Sequence, residues 1–469
     1  MIDVKELAKY KLEQRPRHDI GSSTLFHDLY CEQLRYVPER KTFFYYDGKR
    51  WAEDSGSLKA YEMAKEFALS IVNYFSATDK DGNNENIIKY YSKYLGYDKR
   101  KKLVKDTQSI APLSINEFDK NAYAFNCQNG TVNIIGGTFS PHDPMDYISK
   151  LSNVWYDPDA TSEEFEKFVY EIMEGKQELI DYLQSGLGYS LSSATFHECF
   201  FVMYGAKTRN GKGTLTNTIM NMMGDYAMAT DYSTFESKKY KGSSGASEDV
   251  ARLAGSRFVL VSEPPKSMVL DSALIKTMSG NDKVTARFLY QSSFEFIASF
   301  KIWIATNYLP SIPDDTVFKS GRILLIPFNK HFSGKEQNKS LKAVLSKQEN
   351  ISGAFNWCLE GFMKSIEKGY IEIPDEVKEE IKKYREGNDR LGEFLKSCFV
   401  EDLEGTHKEP MSKAYKIYSN WCKESGYKAM NKRNFKAELE ERVRIDNYRG
   451  QEWLYGYHVD VEIPIEWVM

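Results

Sequence analysis

The chain has 469 residues, with 63 Lys and Arg against 67 Asp and Glu, a formal net charge of −4 and 41% hydrophobic residues. That length exceeds a single hydrophobic core and predicts about three domains at roughly 150 residues each, while the balanced charge excludes a uniformly basic coat for nucleic acid. Six cysteines without a C-x-x-C pair exclude a disulfide framework and a zinc finger, the start from Met1 to Glu6 is charged, and no apolar run is long enough to span a bilayer, so no membrane partner and a cytoplasmic setting are expected.

Residues 1–157 read as a mixed α/β region. Residues 58–75 and 86–94 have helical periodicity, and 41–46 and 49–51 flank the turn Asp47-Gly48 as a hairpin. The basic run Lys99-Arg100-Lys101-Lys102 with Lys105 reads either as a solvated face or as a nucleic-acid contact. No pair of aspartates stands on one strand to hold two metals for nucleotide polymerisation.

Residues 162–190 open on the helix start Ser162-Glu163-Glu164 and place Phe165, Phe168, Val169, Ile172 and Met173 on one face, predicting an amphipathic helix. The apolar run 199–203 then leads into Tyr204-Gly205-Ala206-Lys207-Thr208-Arg209-Asn210-Gly211-Lys212-Gly213-Thr214, and 215–222 reads as a helix. Strand, glycine loop and helix in this order cradle a polyphosphate: backbone amides at Gly205, Asn210, Gly211, Gly213 and Thr214 point inward, the helix start adds positive potential, and Lys212 reaches the outer phosphates. Five residues separate Gly205 from Gly211 where four are usual, and Gly213 stands where a hydroxyl binds Mg2+, leaving Thr214 as the substitute. The loop alone is also compatible with an ordinary glycine turn.

Residues 237–249, rich in Lys, Ser and Gly, read as a mobile connection. Residues 257–263 form a short apolar strand ending in Glu263, a base for an attacking water, and 300–306 form another ending in Asn307, which can orient that water. Gly321-Arg322 precedes the strand 323–326, and such an arginine can reach a neighbour's phosphate. After Pro374 the chain turns helical, with amphipathic segments at 415–423 and 434–439, then a strand pair, 443–448 and 452–457, turned at Arg449-Gly450. Lys428, Lys432, Arg433 and Lys436 form a second basic cluster, with the same two readings as the first.

The succession of Asn210-Gly211-Lys212-Gly213-Thr214, Ala251-Arg252-Leu253-Ala254-Gly255-Ser256-Arg257, residues 274–282 and 284–290, Ala305-Thr306-Asn307-Tyr308-Leu309-Pro310 and residues 322–328 resembles the superfamily 3 helicases. Within them it is similar to the phage and plasmid primase-associated helicases related to the poxvirus primase-helicase. The resemblance implies a multidomain α/β chain: a mixed α/β domain over 1–157, a helical collar over 158–195, an AAA+-like P-loop ATPase core over 196–335, a helical linker over 336–374 and a winged-helix-like DNA-binding domain over 375–469. It implies ATP and Mg2+, with Lys212 as the Walker A lysine, Glu263 as the Walker B acid, Asn307 as sensor 1, Arg322 as the trans-acting arginine finger, and Thr214 and Glu263 at the metal.

It further implies a homo-oligomer, a hexameric ring, in which a hairpin before Asn307 grips DNA through Lys283, Arg287 and Tyr290 and a second C-terminal helix presents Lys432, Arg433 and Lys436 to a major groove. Arg287 can equally face the nucleotide. The implied function is an ATP-dependent DNA helicase or replication initiator of a phage, plasmid or mobile element in a bacterial cytoplasm, acting on single-stranded or forked DNA or an origin duplex. A separate primase or other replication protein is a further expected partner, with no primer synthesis by this chain. Ser262 in place of a second acid and Gly321 in place of a second arginine depart from the family pattern. A nucleotide-binding DNA scaffold with little hydrolysis, or an ATPase that loads or remodels another replication protein, stand as alternatives.

Overall fold

The structure, a computed structural model, describes residues 2–79, 82–237, 248–289, 293–402, 405–427 and 429–468. Residues 238–247 of the expected mobile loop 237–249, Tyr290 and Lys428 lie outside the described residues. The chain divides into two compact units, one of Met1–Leu309 with Arg322–Pro374 and one of Pro310–Gly321 with Asp375–Met469.

The first unit is built on a five-stranded, wholly parallel sheet. Its strands are β1 (Phe200–Tyr204), β2 (Ala227–Thr230), β3 (Phe258–Ser262), β4 (Lys301–Thr306) and β5 (Ile323–Pro327), in the spatial order β5-β1-β4-β3-β2. β1, β3 and β5 are near-continuous apolar runs because a parallel strand is covered on both faces. In β4, Trp303 is buried and stacks on Phe201 of β1 at 4.1 Å and on Phe258 of β3 at 5.5 Å, and its indole N–H donates to Ser190 Oγ at 3.0 Å.

The segment 162–190, expected as one helix, forms two: Glu163–Ile172 and Gln177–Tyr189. Glu174 and Gly175 take φ of 53° and 72°, left-handed values that stop the first helix. Ser162 caps it, accepting from Phe165 N at 3.1 Å. The segment 336–374, expected as a helical linker, contains the helix Gln348–Lys368, which packs directly on Gln177–Tyr189. A Cβ at Gly188 would lie 2.3 Å from Cys358 O and one at Gly361 2.2 Å from Gln184 O, so glycine at both positions lets the two backbones touch.

Further N-terminal, the helices Asp19–Tyr30, Leu58–Thr78, Glu85–Ser92 and Tyr97–Thr107 share a core around Phe26, Phe67, Ile71 and Tyr91. The expected hairpin is present as Thr42–Tyr46 and Trp51–Asp54, joined by Leu34–Val37 in a three-stranded sheet. Another antiparallel sheet, Ala124–Cys127, Gly130–Asn133 and Thr138–Ser140, is tied to the parallel one by a buried cation. Arg257 donates to Ala124 O at 2.7 Å and Leu191 O at 2.6 Å and lies over the Tyr226 ring at 4.4 Å.

The second unit contains the helices Asp375–Asn388, Arg390–Cys398, Met411–Glu424 and Lys432–Glu440. Its expected strand pair forms as Ile445–Tyr448 and Gln451–Tyr455, and Lys408–Pro410 adds a third strand beside Gln451–Tyr455. Phe394, Tyr418, Phe435 and Leu454 fill the core between helices and sheet. The excursion Pro310–Gly321 is held here by Tyr384 Oη donating to Pro310 O at 2.6 Å and by a bidentate Arg385–Asp315 pair at 2.6 and 2.7 Å.

Trp303→Ala is expected to cost about 3–5 kcal/mol, the range for emptying a buried aromatic site, and to lower the melting midpoint of the first unit by scanning calorimetry. Val461→Ala, at a side chain 95% exposed, is expected to leave the midpoints in place.

Candidate functional site

Three strand tips build the site. β4 lies between β1 and β3, with Thr306 level with Tyr204 and Ala305 level with Ser262. The residues that follow these strands therefore emerge side by side at the carboxyl edge of the sheet, the edge at which open α/β sheets take ligands. They are the Gly205 loop after β1, Glu263 after β3 and Asn307 after β4.

The glycine loop is shaped by close contacts. A Cβ at Gly205 would lie 2.3 Å from Asn210 Nδ2 and 2.5 Å from Phe328 O. Gly211 takes φ +89°, and a Cβ there would meet Ile172 Cγ2 at 2.4 Å, so the loop rests on the helix Glu163–Ile172. Asn210 is buried and donates to Lys207 O at 2.8 Å, which makes it a brace within the loop. Phe332 N donates to Arg209 O at 2.9 Å and His331 Nδ1 to Thr208 O at 2.7 Å, holding the loop from outside. Gly213 is exposed, with open space where a Cβ would stand.

Lys212 opens the helix Lys212–Met223 and is only 8% exposed. Its ammonium donates to Asn307 Oδ1 at 2.9 Å and Gly205 O at 3.2 Å. Neither partner is charged, and burial lowers its pKa from 10.5 to about 8. A desolvated cation held by two neutral oxygens is under-compensated, and a phosphate oxygen supplies the missing charge. Glu263 is exposed, donates its backbone N–H to Ala305 O at 3.0 Å and takes φ +51°. A left-handed glutamate stores strain on the order of 1 kcal/mol. Thr214 is half-buried in the first helical turn. With Glu263 it offers two oxygen ligands of the kind that suit Mg2+ when phosphates and water complete the shell. Among the described residues, no group of three or more His, Cys, Asp and Glu side chains converges to hold a metal alone.

Arg322 stands elsewhere. It precedes β5, and its carbonyl accepts from Phe200 N at the start of β1, which places it at the opposite end of the sheet from Lys212, Glu263 and Asn307. The length of five strand residues, roughly 15 Å, separates the two ends. There its guanidinium pairs with Glu198 Oε2 at 2.5 Å and donates to Ser279 Oγ at 3.0 Å. The hairpin after Ser279 consists of Lys283–Ala286 and Phe294–Ile297. Lys283 pairs with Glu295 at 3.4 Å, Arg287 is exposed, and Phe288 stacks on Phe294 at 5.6 Å beneath the Arg40 guanidinium at 4.9 Å.

In the second unit Lys432 and Arg433 are exposed at the start of Lys432–Glu440. Lys436 instead pairs with Glu452 and, at 3.4 Å, with Glu440, which ties its helix to the hairpin. Sequence reasoning missed the basic residues of the hairpin face. Lys408 lies over Tyr448 and Trp453 at 5.2 and 4.8 Å, Arg449 over Tyr448 at 5.2 Å, and Arg444 over Tyr455 at 5.2 Å. The alternation of basic and aromatic residues over 444–455 was the available signal. Glu198 was also missed, and no local pattern announces a partner 124 residues from Arg322.

Residues 23–174 match the family described as D5 N terminal like, and residues 386–468 match the Poxvirus D5 protein-like family. The chain thus carries a segment similar to each of these two families. Over residues 203–322 it also matches a further family of unknown function. It is 26% identical over 455 residues to "Putative helicase L207/L206" of Acanthamoeba polyphaga mimivirus, covering 88% of this chain and 46% of the relative. It is 24% identical over 376 residues to "Putative helicase 121R" of Invertebrate iridescent virus 3, covering 72% and 40%. Against "Putative primase C962R" of African swine fever virus it is 24% identical over 374 residues, covering 72% and 38%. The chain thus spans less than half the length of these relatives. A solved structure, the apo NrS-1 C terminal region, matches over 90% of this chain and 95% of its own at 11% identity, with a TM-score of 0.46. No described helix is long and apolar enough to cross a membrane.

Because the Lys212 ammonium loses its proton near pH 8, affinity for inorganic tripolyphosphate is expected to fall as pH rises through 8, by up to tenfold per unit. Calorimetric titrations between pH 7 and 9.5 check this. Lys212→Arg, which stays charged throughout, is expected to bind with a flat profile.

Proposed function

We propose that this chain is an ATP-driven DNA motor of the superfamily 3 type, hydrolysing ATP between the subunits of a homo-oligomeric, hexameric ring and translocating on and unwinding DNA as a helicase or replication initiator. The observation that carries this reading is the adjacency of Lys212, Asn307 and Glu263 at neighbouring parallel strand tips, with Arg322 at the far end of the same sheet. The strand order β5-β1-β4-β3-β2 supports an AAA+-like P-loop core.

In this reading Lys212 and the loop amides take the phosphates of ATP. Asn307, whose side-chain oxygen already lies at the Lys212 ammonium, orients the attacking water, and Glu263 accepts its proton. Mg2+ held by Thr214 and Glu263 would neutralise charge on the β- and γ-phosphates. Arg322 stands too far away to serve its own site and is offered to a neighbour, which makes the oligomer part of the catalyst.

The second unit fits a winged-helix DNA-binding domain. Lys432 and Arg433 on the helix start and Lys408, Arg444 and Arg449 on the hairpin are the phosphate-facing set, while Lys436 braces the two elements. The helicase and primase names of the relatives support action on DNA. The exposed Ser262 beside Glu263 and the open Gly213 favour one second reading, a DNA scaffold that holds nucleotide with slow turnover.

Single-stranded DNA is expected to stimulate ATP hydrolysis by the wild type. Lys212→Ala and Arg322→Ala are each expected to lower kcat by at least about 100-fold, in line with the loss of a phosphate clamp or an arginine finger. An equimolar mixture of the two variants is expected to regain part of the activity, because mixed interfaces pair an intact Lys212 with an intact Arg322. No recovery in verified mixed oligomers would place Arg322 outside a shared site. Nucleotide binding without turnover by the wild type would establish the scaffold, and turnover without strand displacement on a forked duplex would establish a loader.

A further inference from the structure

The helix Tyr97–Thr107 packs into the N-terminal bundle through Leu103, Val104 and Thr107. Its opposite face presents Lys101, Lys102 and Lys105, all exposed and none within ion-pairing distance of a carboxylate among the described residues. The neighbouring charges are already engaged. Lys99 pairs with Asp19 at 2.7 Å and lies over the Tyr94 ring, Arg100 donates to Tyr94 O at 3.2 Å, and Asp106 accepts from Ser23 Oγ at 2.6 Å. Asp98 is exposed on the same face, and Asp106 is also exposed beside Lys105.

Some exposed helical lysines elsewhere in the chain are paired: Lys65, Lys378 and Lys383 each lie beside a carboxylate three residues away, a common way for a solvated helix to balance its charge. On Tyr97–Thr107, Lys101 and Lys102 each stand about one helical turn before Lys105 without a close ion pair, in a chain whose net charge is −4.

Two further features lie against these lysines. A cavity of about 410 Å³ opens beside the helix, lined by Asp19, Tyr94, Lys99, Lys102, Lys105 and Ser109 among others. On the other flank, one turn before Lys101, Tyr97 is 61% exposed and stacked on Tyr61 at 6.4 Å with 29° between the rings. Cations that take phosphates beside an open aromatic face that takes a base form the pattern of a single-strand platform. A duplex keeps its bases inside and has no use for the ring, and an acidic peptide would use the lysines alone.

We propose that Lys101, Lys102 and Lys105, together with the Tyr97–Tyr61 stack, form a second nucleic-acid site that takes single-stranded DNA on the N-terminal bundle, separate from the basic face of the second unit. The inference rests on the reading that the chain acts on DNA, and it adds where a displaced or incoming strand is held.

Fluorescence anisotropy of the full chain with labelled oligo-dT, across a series of salt concentrations, tests it. The triple variant Lys101→Glu, Lys102→Glu, Lys105→Glu is expected to lose at least tenfold in affinity and to flatten the slope of log K against log salt by about two, since each single-strand phosphate contact contributes roughly 0.7. Tyr97→Ala is expected to weaken binding about fivefold or more, with Tyr97→Phe restoring it. Hydrolysis of ATP without DNA is expected to be unchanged in all of these. Wild-type binding with an affinity and salt slope that the triple variant leaves unchanged overturns this site and leaves the DNA reading standing. Absence of DNA binding by the wild type overturns both. Displacement of the oligonucleotide by polyglutamate, with no effect of Tyr97→Ala, assigns the face to an acidic partner and also overturns the proposal.

Discussion

The parallel register of β1, β4 and β3 is the constraint on which the candidate site depends. Each of its groups sits at the end of a strand, so its position is set by the hydrogen-bond ladder and by the stacking of Phe201, Trp303 and Phe258 across three strands. Because side chains alternate faces, a slip of one residue in β4 would turn Trp303 to the opposite face, away from Phe201 and Phe258, and move Asn307 from its place beside Lys212. Packing and chemistry are held by the same interaction. The core also explains how strain at Glu263 is sustained: a left-handed residue persists where the strand before it and its backbone bond to Ala305 leave no alternative.

Polarity of the sheet divides labour between its ends. The carboxyl edge gathers Lys212, Glu263 and Asn307, while the amino edge carries Arg322, locked to Glu198 and Ser279 close to the base of the hairpin Lys283–Ala286 and Phe294–Ile297. Between Asn307 and Arg322 the chain leaves this unit, and residues Pro310–Gly321 belong to the second unit, fastened there by Tyr384 and Arg385. The excursion therefore begins three residues after Asn307 and ends at the residue before Arg322.

Charge is arranged by local pairing and not by the total. The second unit spends Lys436 on Glu452 and Glu440 to fix a helix against a hairpin, and leaves Lys432, Arg433 and the ring-stacked Lys408 and Arg449 toward solvent. Buried cations do structural work: Arg257 joins two sheets through carbonyls, and Lys301 is held by Ser192 O at 2.8 Å and the Tyr189 ring, with burial pulling its pKa well down. A net charge of −4 says nothing about any of these positions.

The sequence by itself determined the elements whose signal is local. Alternation and apolar runs marked the strands at 199–203, 257–263 and 300–306, the Asp47-Gly48 hairpin and the paired strands around Arg449-Gly450, because backbone preference and one-sided burial act over a few neighbours. The order of the glycine loop, Glu263, Asn307 and Arg322 along the chain was legible for the same reason. Only tertiary structure decided that three of these converge while Arg322 stands apart, that Glu198 is its partner, that the helix Gln348–Lys368 packs on Gln177–Tyr189, and that Asn210 and Lys436 brace their surroundings. The helix break at Glu174-Gly175 belongs with these, since a lone glycine after an amphipathic run is compatible with either continuation. Those outcomes depend on strand order and on contacts between residues a hundred or more positions apart, where the deciding quantities are register and steric fit between distant backbones.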